Sequence, residues 1–502
     1  MENTTNSISN SNSDSNSNSK LHPNEKKRVH AILVVLPQQG HVIPFVQLAI
    51  KLASKGFSIT FINTEHIHHK ISLSNAAVVG KDGGDIFAEA RKRYSGLDIE
   101  YMTITDGLPL EFDRSLNHDQ WVGATTHCFP AHLEVAINRI LRSRPSVGCC
   151  LIADSYFVWA AKLASKFGLV HVSFWTENAM VLDIYFHRHL LKQNGHIGPG
   201  SSGRKDNINY IPGIKSLKRT DLTSYLQEED LTTFHPQYNF AALDDTKQAH
   251  FILGNTVQEL EAHTIEAVEA HVPFYAIGPL FPPGFTKMPV ATSLWAESDC
   301  TVWLDSKPPS SVLYVSFGSY AHINKEELEE IANGIKLSGV NFLWVIRPDM
   351  VSSDDPDPLP AGFRDEVRDR GMIVTWTCQK AVLSHCAIRG FLTHCGWNST
   401  LESIWCEVPL LCFPLLTDQF TNRKLIVDDW KIGCNLCDVK PVKKEEVFPK
   451  IKDLISGSMG CELHIKIKSI KQVLQNATMM QGSSERNVDD FIQELSIAIQ
   501  KK

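Results

Sequence analysis

The chain has 502 residues and a formal net charge of −7, with 43% hydrophobic and 21% charged residues. This length exceeds what one typical core supports and predicts two or three domains. Because an acidic chain presents no overall positive field, we expect neither nucleic acid nor an anionic membrane as a partner. No run of 18 apolar residues is present, which predicts that no segment spans a membrane.

The amino-terminal segment is rich in Asn and Ser. Such a composition cannot bury enough apolar surface to offset the entropy of the chain, so residues 1–27 are predicted to be a disordered tail. Nothing in this segment resembles a signal peptide, and we therefore expect the twelve cysteines to be reduced and the protein to be cytoplasmic.

From residue 29 the pattern alternates between strands and helices. In the first half, an amphipathic helix is predicted over 41–55, and the predicted strands are 31–36, 58–63, 149–153, 170–174 and 251–253. After a Pro-rich linker at 281–298, a second series of strands follows at 312–317, 342–346, 372–375, 390–393 and 410–413. This order predicts an α/β protein with two doubly wound domains, 28–280 and 299–480, and a ligand-binding cleft between them.

The last segment, 481–502, reads as a helix with one apolar stripe that includes Val488, Phe491 and Leu495. We expect this helix to pack back on the first domain, because an apolar stripe needs a surface to cover.

The stretch "FLTHCGWNSTLES", residues 391–403, combines the end of a buried strand, a glycine and the start of a helix. Gly396 is predicted to form the tight turn, and Asn398 or Ser399 to cap the helix. The backbone N–H groups at a helix amino terminus suit an anion, so this turn is a candidate phosphate site.

The segment Trp376 to Gln419, "WTCQKAVLSHCAIRGFLTHCGWNSTLESIWCEVPLLCFPLLTDQ", resembles the signature box of the plant family 1 UDP-dependent glycosyltransferases. The resemblance extends to "LPQQGHVIP", "FWTENA", "GNTVQELE" and "VSFGS" elsewhere in the chain. It implies a GT-B fold, in which two Rossmann-like domains face each other and hold the acceptor mainly in the first and the sugar donor mainly in the second. Two positions depart from the family pattern, with Cys378 in place of the usual Pro and Arg389 where Gly is frequent.

The resemblance also implies the contacts of the donor. The uracil is expected to stack on Trp376, the ribose to contact Gln379 and Glu402, and Thr377 to be a further donor-binding residue. The remaining implied contacts are Ser319, His394, Asn398 and Ser399 at the diphosphate, and Trp397, Asp418 and Gln419 at the sugar. A closing Gln in this box usually accompanies UDP-glucose, so glucose is the expected sugar.

The catalytic pair implied by the resemblance is His41 and Asp154. His41 follows Gly40 after the first strand, and a histidine is suited to remove a proton from a hydroxyl near neutral pH. Asp154 ends another strand and is expected to hold the tautomer of His41 and to stabilise its charge. The predicted reaction is a direct displacement with inversion, from an alpha-linked donor to a beta-linked product.

No cofactor is expected besides UDP-glucose as co-substrate, and no metal. The sequence Asp355-Pro356-Asp357 spells the metal-binding DxD of other glycosyltransferases but lies in a Pro-flanked loop away from the phosphate turn. We expect a monomer that acts on a small lipophilic acceptor of the plant secondary metabolite or hormone type. Two alternatives stay open, a UDP-sugar-binding protein without turnover and a transferase for another UDP-sugar.

Overall fold

The structure is a computed structural model that describes residues 29–75, 84–145, 147–282, 284–286, 290–351 and 357–502. The tail predicted to be disordered, residues 1–27, lies outside the described residues, as does Asp355 of the DxD sequence.

The described strands form two sheets in which every pairing is parallel. The first sheet has the order β3-β2-β1-β4-β5-β6-β7. Its strands are β1 His30–Val34, β2 Ser58–Thr64, β3 Asp98–Ile104, β4 Cys149–Asp154, β5 Val170–Trp175, β6 Phe251–Gly254 and β7 Phe274–Ala276. The second sheet has the order β10-β9-β8-β11-β12-β13. Its strands are β8 Val312–Ser316, β9 Asn341–Val345, β10 Gly371–Val374, β11 Ile388–Thr393, β12 Leu410–Cys412 and β13 Gly433–Asn435.

Helices connect the strands, as parallel pairing requires. In the first half they are α1 Gln39–Ser54, α2 Glu65–Ser74, α3 Ala88–Arg93, α4 His118–His127, α5 Phe129–Ser143, α6 Ala160–Lys166, α7 Ala179–Phe186, α8 Arg188–Gln193, α9 Phe234–Thr246 and α10 Gln258–Glu269. In the second half they are α11 Thr301–Asp305, α12 Lys325–Ser338, α13 Phe363–Val367, α14 Gln379–Leu383, α15 Trp397–Trp405, α16 Gln419–Lys424, α17 Lys444–Ser456, α18 Ser458–Thr478 and α19 Ser483–Gln500. Among the residues that the structure describes, in both halves, no helix has the length and apolar character needed to cross a bilayer.

The predicted strands lie within two residues of the observed ones, but three strands were missed, namely β3, β7 and β13. The edge strand β3 carries Asp98 and Glu100 and is only partly buried, so it lacks the apolar run by which the other strands were found. The edge strands β7 and β13 have three residues each and are too short to show a pattern. The first helix begins at Gln39, two residues before the predicted start at His41.

Each sheet reverses its strand order at one point, and these points position the site. In the first sheet the reversal lies between β1 and β4, and in the second between β8 and β11. Crevices form at the carboxyl ends of the strands where the order reverses. The segments that leave these strands carry His41 and Asp154 in the first sheet and Ser319 and His394 in the second.

The carboxyl-terminal helix α19 packs against the first sheet. The ring of Phe491 meets the rings of Phe251 and Tyr275 edge-on, with centroids 5.9 and 5.7 Å away. Glu485 on the same helix forms an ion pair with Lys51 of α1. The chain therefore returns to the first domain after completing the second.

Candidate active site

A cleft with a volume of about 310 Å³ lies between the two sheets. Residues of both halves line it, and all the sequence-predicted site residues except Asp154 are among them. Asp154 is buried directly behind His41.

His41 and Asp154 form a hydrogen-bonded pair at the switch point of the first sheet. The Nδ1 atom of His41 lies 2.8 Å from Oδ2 of Asp154 and 3.1 Å from Oγ1 of Thr176. The other carboxylate oxygen of Asp154 accepts the backbone N–H of Tyr156 at 3.0 Å. Because Nδ1 is held in this way, Nε2 is the ring nitrogen left to act on a ligand. No hydrogen bond to Nε2 is present within the described residues.

The phosphate turn differs in one respect from its sequence prediction. The residue with positive φ is Cys395, at 68°, whereas Gly396 is extended with φ −60° and ψ 144°. Gly396 is the N-cap residue of α15, so the prediction that Asn398 or Ser399 caps this helix was wrong. Both residues lie in the first helical turn instead, and no side chain caps the helix. No described side chain therefore occupies the first backbone N–H groups of α15, and these free donors suit an anionic ligand.

His394 lies under this turn as a neutral imidazole. Burial lowers its pKa to about 3, and the nearby guanidinium of Arg347 contributes to the same shift. Its Nδ1 is buried without a hydrogen-bond partner in the described part of the protein. Gly318 packs on the ring so closely that a Cβ there would approach Nε2 to 2.4 Å, and its φ of 75° also favours glycine.

Arg347 is a site residue that the sequence analysis missed. Its guanidinium is buried behind the phosphate turn and donates to the carbonyls of Gly318 and Ala321, the latter at 2.9 Å. These carbonyls flank Ser319, so Arg347 holds the loop that carries Ser319. An arginine directly after the apolar strand β9 was the available signal.

The residues predicted for uracil and ribose lie together at one end of the cleft. Gln379 donates through Nε2 to Glu402 at 2.8 Å and to Ser399 at 3.0 Å, which links this end to the phosphate turn. Burial raises the pKa of Glu402, while Lys380 and Gln379 act in the opposite direction. Trp376 is half-buried beside them. Thr377 is buried and donates to the carbonyl of Ser298 at 3.0 Å, so its hydroxyl is used within the protein.

Trp397 and Asn398 connect the two domains. The indole N–H of Trp397 donates to the carbonyl of Asn255 at 2.8 Å, directly after β6. The amide of Asn398 donates to the carbonyl of Gly40 at 2.7 Å, the residue before His41. Both side chains thus make contacts that the sequence did not reveal, because their partners lie in the other domain.

Asp418 and Gln419 lie at the remaining end of the cleft. Burial raises the pKa of Asp418, whose carboxylate accepts hydrogen bonds from Thr417 at 2.8 Å and Asn422 at 2.6 Å. Gln419 uses its carbonyl oxygen to accept the backbone N–H groups of Leu415 and Leu416, each at 2.9 Å. These two bonds occupy the carbonyl oxygen, so the NH₂ group of Gln419 is the part of the side chain that remains to donate to other partners.

One group of side chains in the cleft has the composition of a metal site. His118, Asp119 and His235 place one ligand atom each within 4.8 Å of one another on the first-domain side. His235 already pairs with Asp119 at 3.2 Å, and burial lowers the pKa of His118 to about 4. Sequence patterns do not reveal this group, because His235 lies more than a hundred residues after the neighbours His118 and Asp119.

The chain is similar to known proteins over nearly its whole length. Residues 297–473 match the family model described as UDP-glucoronosyl and UDP-glucosyl transferase. UDP-glycosyltransferase 86A1 of Arabidopsis thaliana is 51% identical to this chain, over 95% of this chain and 96% of its own length. UDP-glycosyltransferase 86A2 of the same plant is 53% identical over 93% of this chain and 94% of its own length.

Solved structures share the fold. The crystal structure of Medicago truncatula UGT71G1 complexed with UDP-glucose superimposes with a TM-score of 0.75 at 26% identity, covering 93% of this chain and 98% of that one. The prediction of a GT-B fold is confirmed by this similarity and by the two sheets. With half of its residues identical to those of named relatives over nearly the whole length, the chain belongs to the plant family 1 UDP-glycosyltransferases.

Proposed function

We propose that the protein transfers glucose from UDP-glucose to a hydroxyl of a small lipophilic acceptor, with inversion and without a metal ion. The observation that carries this proposal is the pairing of His41 with Asp154 at 2.8 Å, across the cleft from the uncapped amino terminus of α15. One domain offers a base and the other offers an anion site, which are the two things that transfer from a nucleotide sugar needs.

In the proposed reaction, Nε2 of His41 takes the proton of the acceptor hydroxyl as its oxygen attacks C1 of the sugar. The bond between C1 and the diphosphate oxygen breaks, and UDP leaves with the electron pair. Asp154 keeps the Nδ1–H tautomer of His41 and stabilises the imidazolium that forms. Attack opposite to the leaving group inverts C1, so an alpha-linked donor yields a beta-linked product.

The leaving diphosphate gains negative charge as the bond breaks. The backbone N–H groups at the start of α15 and the hydroxyls of Ser319 and Ser399 are the proposed donors to it, because they line the cleft there. Arg347 supports these donors from behind, because it holds the carbonyl of Gly318 while it pairs with Asp349 at 2.9 Å. These groups support a reaction in which no metal ion neutralises the leaving group.

Glucose is proposed as the sugar because the box ends in Gln419 and a similar solved structure is described as a complex with UDP-glucose. The acceptor is proposed to be apolar because aromatic side chains line the first-domain side of the cleft, among them Trp121, Tyr225, Tyr238 and Tyr320.

The test incubates the protein with UDP-glucose and a panel of phenols, terpenoid alcohols and plant hormones, with and without EDTA. We expect glucosides by mass spectrometry, beta anomers by NMR coupling constants, and rates that EDTA does not lower. Binding of UDP without any transfer would overturn the proposal in favour of a UDP-sugar-binding protein, and transfer of another sugar would overturn the glucose assignment.

A further inference from the structure

Glu177 is a buried carboxyl group with one oxygen left without a partner. It lies two residues after β5, lines the cleft and is 9% exposed. Its Oε1 accepts the hydroxyl of Tyr156 at 2.8 Å. Its Oε2 is buried and has no hydrogen-bond partner among the described residues. Leaving a buried polar atom unpaired is costly, so this oxygen is a candidate ligand contact.

Glu177 lies between the catalytic pair and the second domain. Its partner Tyr156 donates its backbone N–H to Asp154, and the ring of Tyr156 meets that of His41 edge-on at 5.7 Å. Burial raises the pKa of Glu177, and the charge of Asp418 is the next largest cause. Asp418 is thus close enough to act on Glu177 through space, from the opposite domain.

Two buried carboxyl groups that feel each other's charge resist ionising together, so the pair tends to keep one proton. A protonated carboxyl donates a hydrogen bond and an ionised one accepts, which together match a hydroxyl group that does both. Positive side chains are scarce around this pair. Of the described residues that line the cleft, Lys380 is the one lysine or arginine, and its charge acts on Glu402 and Glu297 at the other end.

We propose that Glu177 binds a hydroxyl of the donor sugar together with Asp418, and that this pair selects a neutral sugar over a uronic acid. The inference rests on the proposed function and deepens it, because the matching family model covers both glucuronosyl and glucosyl transferases. A sugar carboxylate would enter a buried, negatively charged position where neither lysine nor arginine of the described chain lines the cleft beside it, whereas a neutral sugar satisfies Oε2 of Glu177.

The experiment measures dissociation constants of UDP, UDP-glucose and UDP-glucuronate by calorimetry for the wild type, Glu177→Leu and Glu177→Gln. In the wild type we expect UDP-glucuronate to bind at least about tenfold more weakly than UDP-glucose. This factor corresponds to the loss of roughly one hydrogen bond to a charged group. Glu177→Leu is expected to weaken UDP-glucose about tenfold while UDP binds as before. Glu177→Gln keeps a donor and an acceptor and should retain most of the affinity.

A second variant, Tyr156→Phe, removes the hydroxyl that holds Oε1 and should weaken UDP-glucose in the same direction by a smaller factor. Unchanged UDP-glucose affinity in Glu177→Leu, or equal binding of UDP-glucuronate and UDP-glucose by the wild type, would overturn the inference. If the wild type binds UDP but not UDP-glucose, the glucose assignment fails. If glucose is transferred normally and Glu177→Leu binds UDP-glucose as the wild type does, only the role of Glu177 fails.

Discussion

The two sheets have the same kind of switch point but use it for different chemistry. At the first, between β1 and β4, side chains act: His41 pairs with Asp154. At the second, between β8 and β11, backbone groups dominate: the uncapped start of α15, a glycine packed on His394 and a loop held by Arg347. One architecture therefore offers a paired histidine on one side of a cleft and an uncapped helix start on the other, the proposed proton acceptor and anion site, because switch points expose side chains and helix termini alike.

Removal of the proposed base at the first switch point should have the largest effect. His41→Ala should lower kcat by about a thousandfold, within the range by which a positioned base accelerates a reaction. Affinity for UDP-glucose should stay the same, since the second switch point is untouched. Steady-state kinetics together with calorimetry checks this expectation, and a similar loss in both quantities would contradict the separation of roles.

Asp154→Asn should have the next largest effect on the same side. The amide can still hydrogen-bond Nδ1 of His41 but cannot stabilise an imidazolium, so kcat should fall by about a hundredfold, at the lower end of the range that general base catalysis contributes. Turnover rates of the purified variant measure this. Thr176→Val is the matched control, since it removes the weaker contact to Nδ1 at 3.1 Å and should cost much less.

On the other side, Gly318→Ala should weaken UDP binding by about tenfold, as expected for loss of one or two hydrogen bonds at the diphosphate. The added Cβ would meet Nε2 of His394 and displace the loop of Ser319. The control is Gly339→Ala, which has a similar φ of 70° but open space around the Cβ. It should cost about 1 kcal/mol of stability and no UDP affinity. Equal UDP affinities in the two variants would show that packing on His394 is irrelevant.

The smallest effect is expected where the two sides touch. Asn398→Leu removes the hydrogen bond to the carbonyl of Gly40, so kcat should fall by about fivefold to tenfold through loss of about 1 kcal/mol of positioning. If Asn398 acts mainly on the diphosphate, as the family resemblance implies, UDP affinity should fall instead. Measuring kcat and the UDP dissociation constant for one variant separates the two roles.

The predictions from sequence succeeded where local patterns decide structure and failed where partners are distant. Buried parallel strands show continuous apolar runs, so their positions could be inferred, while the half-polar edge strand β3 could not. Arg347 looked ordinary in the sequence because its importance comes from burial next to Gly318, 29 residues earlier in the chain.

The sequence by itself determined the family and the alternation of strands and helices, because these depend on residue type and spacing, and from the same signals it predicted which residues carry chemistry. The tertiary structure decided how those residues are used. It set Gly396 as the helix cap, joined Gln379 to Glu402, and turned the side chains of Trp397 and Asn398 toward the other domain. Hydrogen-bond partners are a property of position in space, and only the packing of the two domains brings these donors and acceptors within reach.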